Sequence, residues 1–416
     1  MTQALAQLRP RQEAGTFGEI SPKIQMHVDW LRDAAVPFWI ERAADSSGLF
    51  YETLHLDGSP DADRELRLRT GMRQVFVFAE AAYLGLADFF QSVDLAESIA
   101  RKLREIAWRR DGKPGWASRF LRDGTVTDSK LDLYDHAIAV LGLSTLLKVR
   151  KSDEFAEWIA ATLSVIDSLA SDFGGWDEDD RCTIPRRQNP HMHMFAASLA
   201  RLEAFDESRD NARARQIFQL FRDRFFTDTA NHLTEYFGPR WEAGRGYDSH
   251  RYDPGHVAEW IPLLRKYSEL SGVDVARYCD ALLRRVLQIT GKGMKFLPDE
   301  IDSAARPILN RRRLWLQTEF LRALVVETAF DESGEIVAIA EKFCERLHET
   351  YLCGVPEGTW CDQFDLIGRP TATCIPASTL CHLMNVAPAI FRYGQHAARE
   401  PRPQSNLSQP AAIVAD

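Results

Sequence analysis

His256 and Glu259, in the run DPGHVAEW, are three residues apart and share one face of a helix. A carboxylate so placed can orient the imidazole, fix its tautomer and raise its basicity, as a general base near neutral pH requires. His191 and His193 are two apart and point in different directions on a helix, so only one should face a shared cavity. Similar polar groups open other apolar segments: Arg69, Arg73 and Gln74; Asp132, Tyr134, Asp135 and His136; Asn189 after Arg186 and Arg187; Trp315, Gln317 and Glu319; Ser378 and His382. Trp360 and Asp362 lie just ahead of the last of these. A lone histidine beside an apolar face is usually a satisfied core residue, but six segments in phase point to a site. Aromatic faces stack on the C–H faces of a sugar, and planar polar groups take its hydroxyls, so the set suits a carbohydrate. Arg311, Arg312 and Arg313 offer a phosphate contact, although such a run is more often a solvated helix start.

Other chemistries lack their motifs. No HExxH and no Cys/His cluster with metal spacing occurs, so no metal site is expected. Neither GxGxxG nor a Walker loop is found, which leaves nucleotide-cofactor folds unsupported. A GxSxG nucleophile elbow is also missing.

The elements that must position these residues are helices. Apolar residues at helical spacing recur about twelve times, while β-rich runs are few and short, as at YETLHLDG. Odd-numbered segments begin near 24, 88, 152, 208, 273 and 333, a period of about 60 residues. Long connections follow the odd segments and very short ones follow the even segments. Most long connections carry a turn glycine beside an apolar or aromatic residue, as at Gly48-Leu49-Phe50, Gly115-Trp116, Gly175-Trp176, Gly293-Met294 and Gly358-Thr359-Trp360. This alternation predicts an all-α fold, an (α/α)6 barrel of six helical hairpins with short β-hairpins only in the long loops. An open solenoid shares the repeat logic, but its repeats are usually shorter and more uniform. With the even helices inside, their first turns face the long-loop end, where the polar groups gather.

The chain has 416 residues, with 51 Lys+Arg against 60 Asp+Glu, for a formal charge of -9. That balance argues against nucleic-acid or anionic-membrane partners. No stretch approaches a membrane span, and the start lacks a signal peptide's apolar region. Seven irregularly spaced cysteines read as reduced thiols of a cytoplasmic protein. Residues 1–22 and 397–416 lack helical patterning and are expected to be a mobile N-terminal segment and a disordered tail, leaving 23–396 as one catalytic domain.

The runs RQVFVFAEAAYLG, DLYDHAIAVLGL, RRQNPHMHMFAASLARLEA, YDPGHVAEWIPLL, RLWLQTEFLRAL and WCDQFDLIGRP…PASTLCHL resemble the N-acylglucosamine 2-epimerase family, and most closely its bacterial mannose-isomerase-type members. The resemblance spans about 24–392 and implies the same barrel, with sugar isomerisation that uses no cofactor. By motif it implies that His256 and His382 are the acid/base pair and that Arg73 holds substrate oxygens near the enediolate. It places His193 and Asn189 on the sugar, with Glu259, Trp315, Glu319 and Asp362 lining the cleft; Tyr134 joins them from the residue reading. One departure is Ala196, where the family often has Glu three residues after the second His of NPHMH. The reaction expected is D-mannose to D-fructose interconversion through a cis-enediolate. Alternatives are 2-epimerisation of an N-acylglucosamine, mannose/glucose or cellobiose unit, a sugar-phosphate isomerase, an (α/α)6 glycoside hydrolase and a non-catalytic binding protein. The partner implied is a small monosaccharide, with a homodimer as the only assembly considered.

Overall fold

The computed structural model describes residues 20–109, 113–205, 208–227 and 232–394. Twelve helices are formed among the described residues, close to the expected segments. The first, α1, runs through Pro22–Trp30 and Val36–Arg42. A π-turn, Leu31–Ala35, joins its two parts just ahead of Pro37, which has no N–H to donate back to the preceding turn. Then follow α2 (Leu68–Leu84), α3 (Phe89–Ala107), α4 (Leu133–Val149), α5 (Asp153–Ser168), α6 (Gln188–Phe205) and α7 (Ser208–Leu220). The series ends with α8 (Pro254–Ser271), α9 (Ala276–Thr290), α10 (Leu314–Glu327), α11 (Glu335–Leu347) and α12 (Thr379–Tyr393). Ser21 and Pro22 belong to the fold rather than to a mobile segment. Pro22 opens α1, and the Ser21 hydroxyl donates to Glu341 at 2.5 Å. The expected tail, 397–416, lies outside the described residues.

The ring is closed. α2 packs on α4, α4 on α6, α6 on α8, α8 on α10, α10 on α12, and α12 back on α2. Outside it, α3, α5, α7, α9 and α11 each pack on the inner helix before them in the chain, and α1 packs on α12. An open solenoid has no contact between its last and first inner helices. The fold is therefore an (α/α)6 barrel. The inner helices are buried around most of their circumference, as their continuous apolar runs require, whereas the outer helices α3, α9 and α11 bury one face. Gly142 of α4 sits where a Cβ would lie 2.5 Å from the Met72 carbonyl oxygen of α2, which permits that close helix contact.

The short strands differ from expectation. Two pairs are local, Arg119–Phe120 with Val126–Asp128 and Phe226–Thr227 with His232–Leu233. The others tie one long loop to the next. Leu66–Arg67 pairs with Arg119–Phe120, Arg186–Arg187 with Tyr236–Phe237, Arg312–Arg313 with Gln363–Phe364, and Ile375–Pro376 with Thr53–Leu54. Single bridges Asp132 to Asp179 and Tyr252 to Ile301 complete the circuit. Each inner helix is thus entered from an extended segment bonded to the following loop. A second ring, made of backbone hydrogen bonds, fixes the mouth where the first turns of the inner helices meet.

Candidate active site

Loop side chains lock this mouth by a repeated device. Two residues after an aromatic or leucine in five of the long loops stands an acid: Glu52, Glu178, Glu235, Asp299 and Asp362. Glu52 accepts from the Arg67 backbone N–H and Nε (3.0 and 2.6 Å), and Glu178 likewise from Arg187 (2.5 and 2.7 Å). Asp299 does the same for Arg313 (2.9 and 2.7 Å). Asp362 accepts from the Thr379 hydroxyl at 2.7 Å, so it anchors the start of α12. Burial pushes its carboxyl up to about 6. Glu235 differs. It accepts from Gln188 Nε2 at 3.0 Å and holds Nδ1 of His256 at 3.0 Å.

Three of the in-phase polar residues are staples between helix and loop. Nδ1 of His136 and of His191 meets the carbonyl four residues earlier (Asp132, 2.8 Å; Arg187, 3.3 Å), and each Nε2 accepts from the N–H of Trp116 or Trp176 at 3.1 Å. Gln317 performs the same task with Arg313 and Leu297. All three are fully buried. Burial holds His191 neutral, its imidazole pushed down to about 3. Of the two NPHMH histidines, only His193 turns to the site.

The site residues are buried but keep a sliver of accessible surface. Arg73, Tyr134, His193, His256, Glu259 and His382 retain 4–8%, where the staples retain none. His193 stacks on Tyr134 at 4.4 Å, and the Tyr134 hydroxyl accepts from Arg73 at 2.7 Å. Arg69 covers the Tyr134 ring at 4.5 Å. Trp315 packs against both candidate acid/base residues, with ring centroids 5.3 Å from His256 and 5.4 Å from His382. Gly255 makes room for this indole, since a Cβ there would lie 2.8 Å from Trp315. Gly255→Ala is expected to displace the ring and lower kcat/KM about tenfold, or about 1.4 kcal/mol. Kinetics with Trp fluorescence would check it; unchanged kinetics with a shifted emission would deny Trp315 a role.

The two histidines are prepared oppositely. Burial opposes charge on His256, but Asp253 and Glu235 outweigh it and raise the imidazole to about 10, so it is cationic at neutral pH. Its Nε2–H lies 3.0 Å from the Asn189 side-chain amide, and because an imidazolium only donates, the amide must turn its oxygen to the ring. Burial lowers His382 below its ordinary value; the Glu319 hydrogen bond at 2.7 Å opposes this, and the Arg73 charge adds to it. One neutral base and one imidazolium therefore flank a single indole.

The expected His256–Glu259 pair is not formed. Cα–Cβ bonds on a helix lean toward its N-terminus, which sends His256 up to the loop acid. Glu259, one turn deeper, lies 3.9 Å from His193 instead. Glu319, fully buried, is the hydrogen-bond partner of His382. Ala196, three residues past His193, is half-buried. Glu259, Glu319 and His382 bring one ligand-type atom each within 4.8 Å of the others. Glu319, however, is already shared between His382 and Arg322 (3.1 Å), so the trio fits a hydrogen-bonded relay better than a metal cage.

Two buried polar atoms in this group make no hydrogen bond, Arg73 Nε and Glu259 Oε2. Each unsatisfied group costs about 1–3 kcal/mol. Their convergence on the two histidines marks where a hydroxyl-rich ligand would be held.

A model of the N-acylglucosamine 2-epimerase (GlcNAc 2-epimerase) family matches residues 48–386. A mannose-6-phosphate isomerase of Rhizobium meliloti (strain 1021) is 30% identical over 376 residues, covering 85% of this chain and 93% of that protein. A D-mannose isomerase of Thermobifida fusca is 25% identical over 319 residues, covering 66% and 75%. The structure of cellobiose 2-epimerase from Spirochaeta thermophila DSM 6192 shares the fold, with a TM-score of 0.77 at 19% identity over 89% of this chain and 99% of that one. Family match and fold agree: the chain belongs to the N-acylglucosamine 2-epimerase family and is a sugar isomerase or epimerase.

Proposed function

We propose that the enzyme interconverts D-mannose and D-fructose through a cis-enediolate, with His382 as the base that moves a proton between C2 and C1. The observation that carries this reading is the opposite preparation of two histidines around two unsatisfied polar atoms, Arg73 Nε and Glu259 Oε2. The proton α to a carbonyl is weakly acidic, and a neutral imidazole held by Glu319 is suited to take it. Arg73, buried and cationic, supports the developing negative charge on oxygen. His256 assists ring opening and then shields oxygen charge. An imidazolium held up to about 10 suits that work better than giving a proton to carbon, which favours isomerisation on one face over inversion at C2. Asn189, His193, Tyr134 and Trp315 supply the hydroxyl and stacking contacts. No helix among the described residues is long and apolar enough to cross a membrane.

A second reading, a 6-phosphorylated hexose, is favoured by the name of the R. meliloti relative. Charge at the mouth supports the free sugar. Arg69 is paired with Asp135, Lys130 with Asp132, Arg187 with Glu178, and Arg311 and Arg313 with Asp299. A phosphate dianion would meet these carboxylates along with the cations. We expect kcat/KM for D-mannose to exceed that for D-mannose 6-phosphate by at least about tenfold, some 1.4 kcal/mol. Parallel steady-state assays would decide, and the reverse preference would install the phosphate reading.

A further inference from the structure

Two carboxylates from neighbouring inner helices meet beside His382. Glu319 of α10 has compensation: its Oε1 takes the His382 Nδ1 bond and its Oε2 the Arg322 bond. Glu259 of α8 has little. It is 4% exposed, its Oε2 makes no hydrogen bond, and His193 Nδ1 lies 3.9 Å from its Oε1. The charged or titratable groups around it are Glu319 and Arg322 from α10, His382 and Cys381 from α12, Arg73 from α2, His193 from α6 and His256 from its own helix. Arg322 is spent on Glu319 and His256 on Glu235. Burial keeps His193 neutral, so it offers no countercharge. Two buried like charges this close cannot both persist, and the one without direct partners takes the proton.

Resting on the isomerase reading, we propose that Glu259 is a neutral carboxylic acid in the resting enzyme and passes protons between the O1 and O2 oxygens of the open-chain sugar. An aldose becomes a ketose only if a proton leaves O2 and another reaches O1. His382 removes the C2 proton, and the C2–H electrons form the C1–C2 double bond. The carbonyl electrons move to O1, and Glu259 gives its hydroxyl proton to that enediolate oxygen. Its other oxygen, unbonded in the free site, then takes the O2 proton as the C2 carbonyl forms. His382 returns its proton to C1. Both groups end as they began, and no co-reactant is needed. Burial first, and then the Glu319 charge, push Glu259 up to about 8, consistent with a proton held at neutral pH.

The test compares the wild type with Glu259→Gln, a near-isostere that hydrogen-bonds but cannot pass a proton. In sugar-free protein at neutral pH, infrared difference spectroscopy should show a carboxylic-acid C=O band that is lost in Glu259→Gln. With D-mannose, Glu259→Gln should lose at least about 100-fold in kcat with a much smaller change in KM. The wild-type basic limb near pH 8 should move upward, toward the range where His256 titrates. A missing band, or a Glu259→Gln enzyme with wild-type kcat and basic limb, would overturn the proposal. The band reads the proton whatever the substrate: a wild type that converts no sugar defeats the isomerase reading, and with it the shuttle, while a band still places the proton on Glu259.

Discussion

His382→Gln is expected to lose at least about 1,000-fold in kcat/KM for D-mannose and to stop exchange of the C2 proton with solvent. The loss follows from the geometry. His382 is the histidine held neutral, its Nδ1 committed to Glu319 at 2.7 Å and its ring against Trp315. No other neutral imidazole takes its place, because His193 is stacked on Tyr134 and His136 and His191 are bound to the loops. Glutamine is preferred to alanine as the replacement, since it can keep a bond to the fully buried Glu319 and avoids stranding that carboxylate. The check is steady-state kinetics with C2 deuterium wash-in, beside a thermal melt to show that the fold survives. Full activity in a folded variant would take the base role from His382.

Glu235→Gln is the second large effect, with kcat expected to fall about 100-fold and KM much less. Glu235 and Asp253 outweigh burial to keep His256 cationic. Removing one of them lowers the imidazole from about 10 toward its ordinary value, so the charged form is lost at lower pH. NMR titration of the His256 ring would show the shift directly. A purely structural role would lower the melting temperature and leave the titration in place. Unchanged kcat with an unchanged His256 titration would make Glu235 only another loop anchor, like Glu178.

Helices were legible because their signal is local and repeated. Apolar periodicity located all twelve, and alternating connections with polar first turns on the even helices made those six the expected inner ring. Closure depends on contacts between α12 and α2, hundreds of residues apart. A period near 60 residues made that closure the favoured expectation, and packing decided it. The loop-to-loop strands were not legible, because two-residue segments carry no pattern and their partners come from other repeats.

Of the expected site residues, His256 has a different partner from the one its spacing suggested. His256 and Glu259 share a helix face, but a shared face does not say which acid reaches the ring. Glu235 was missed because it lies in a loop without periodicity. Its signal was the repeat itself: Phe50-Tyr51-Glu52, Trp176-Asp177-Glu178, Leu233-Thr234-Glu235, Leu297-Pro298-Asp299 and Trp360-Cys361-Asp362 put an acid at one position of five repeats. That alignment also explains Asp362, whose carboxylate anchors Thr379 as its counterparts anchor Arg67, Arg187 and Arg313. His136, His191 and Gln317 were in phase with the site residues for a related reason. Their helix position is shared, but their side chains turn to the loop backbone.

The most direct test of the central claim is proton NMR of the wild-type enzyme with D-mannose in D2O. The account predicts D-fructose as the product, its C1 carrying the proton taken from C2, with deuterium there only in the fraction that exchanges on His382 before the proton is returned. D-glucose appearing without D-fructose, or no conversion of D-mannose at all, would contradict it.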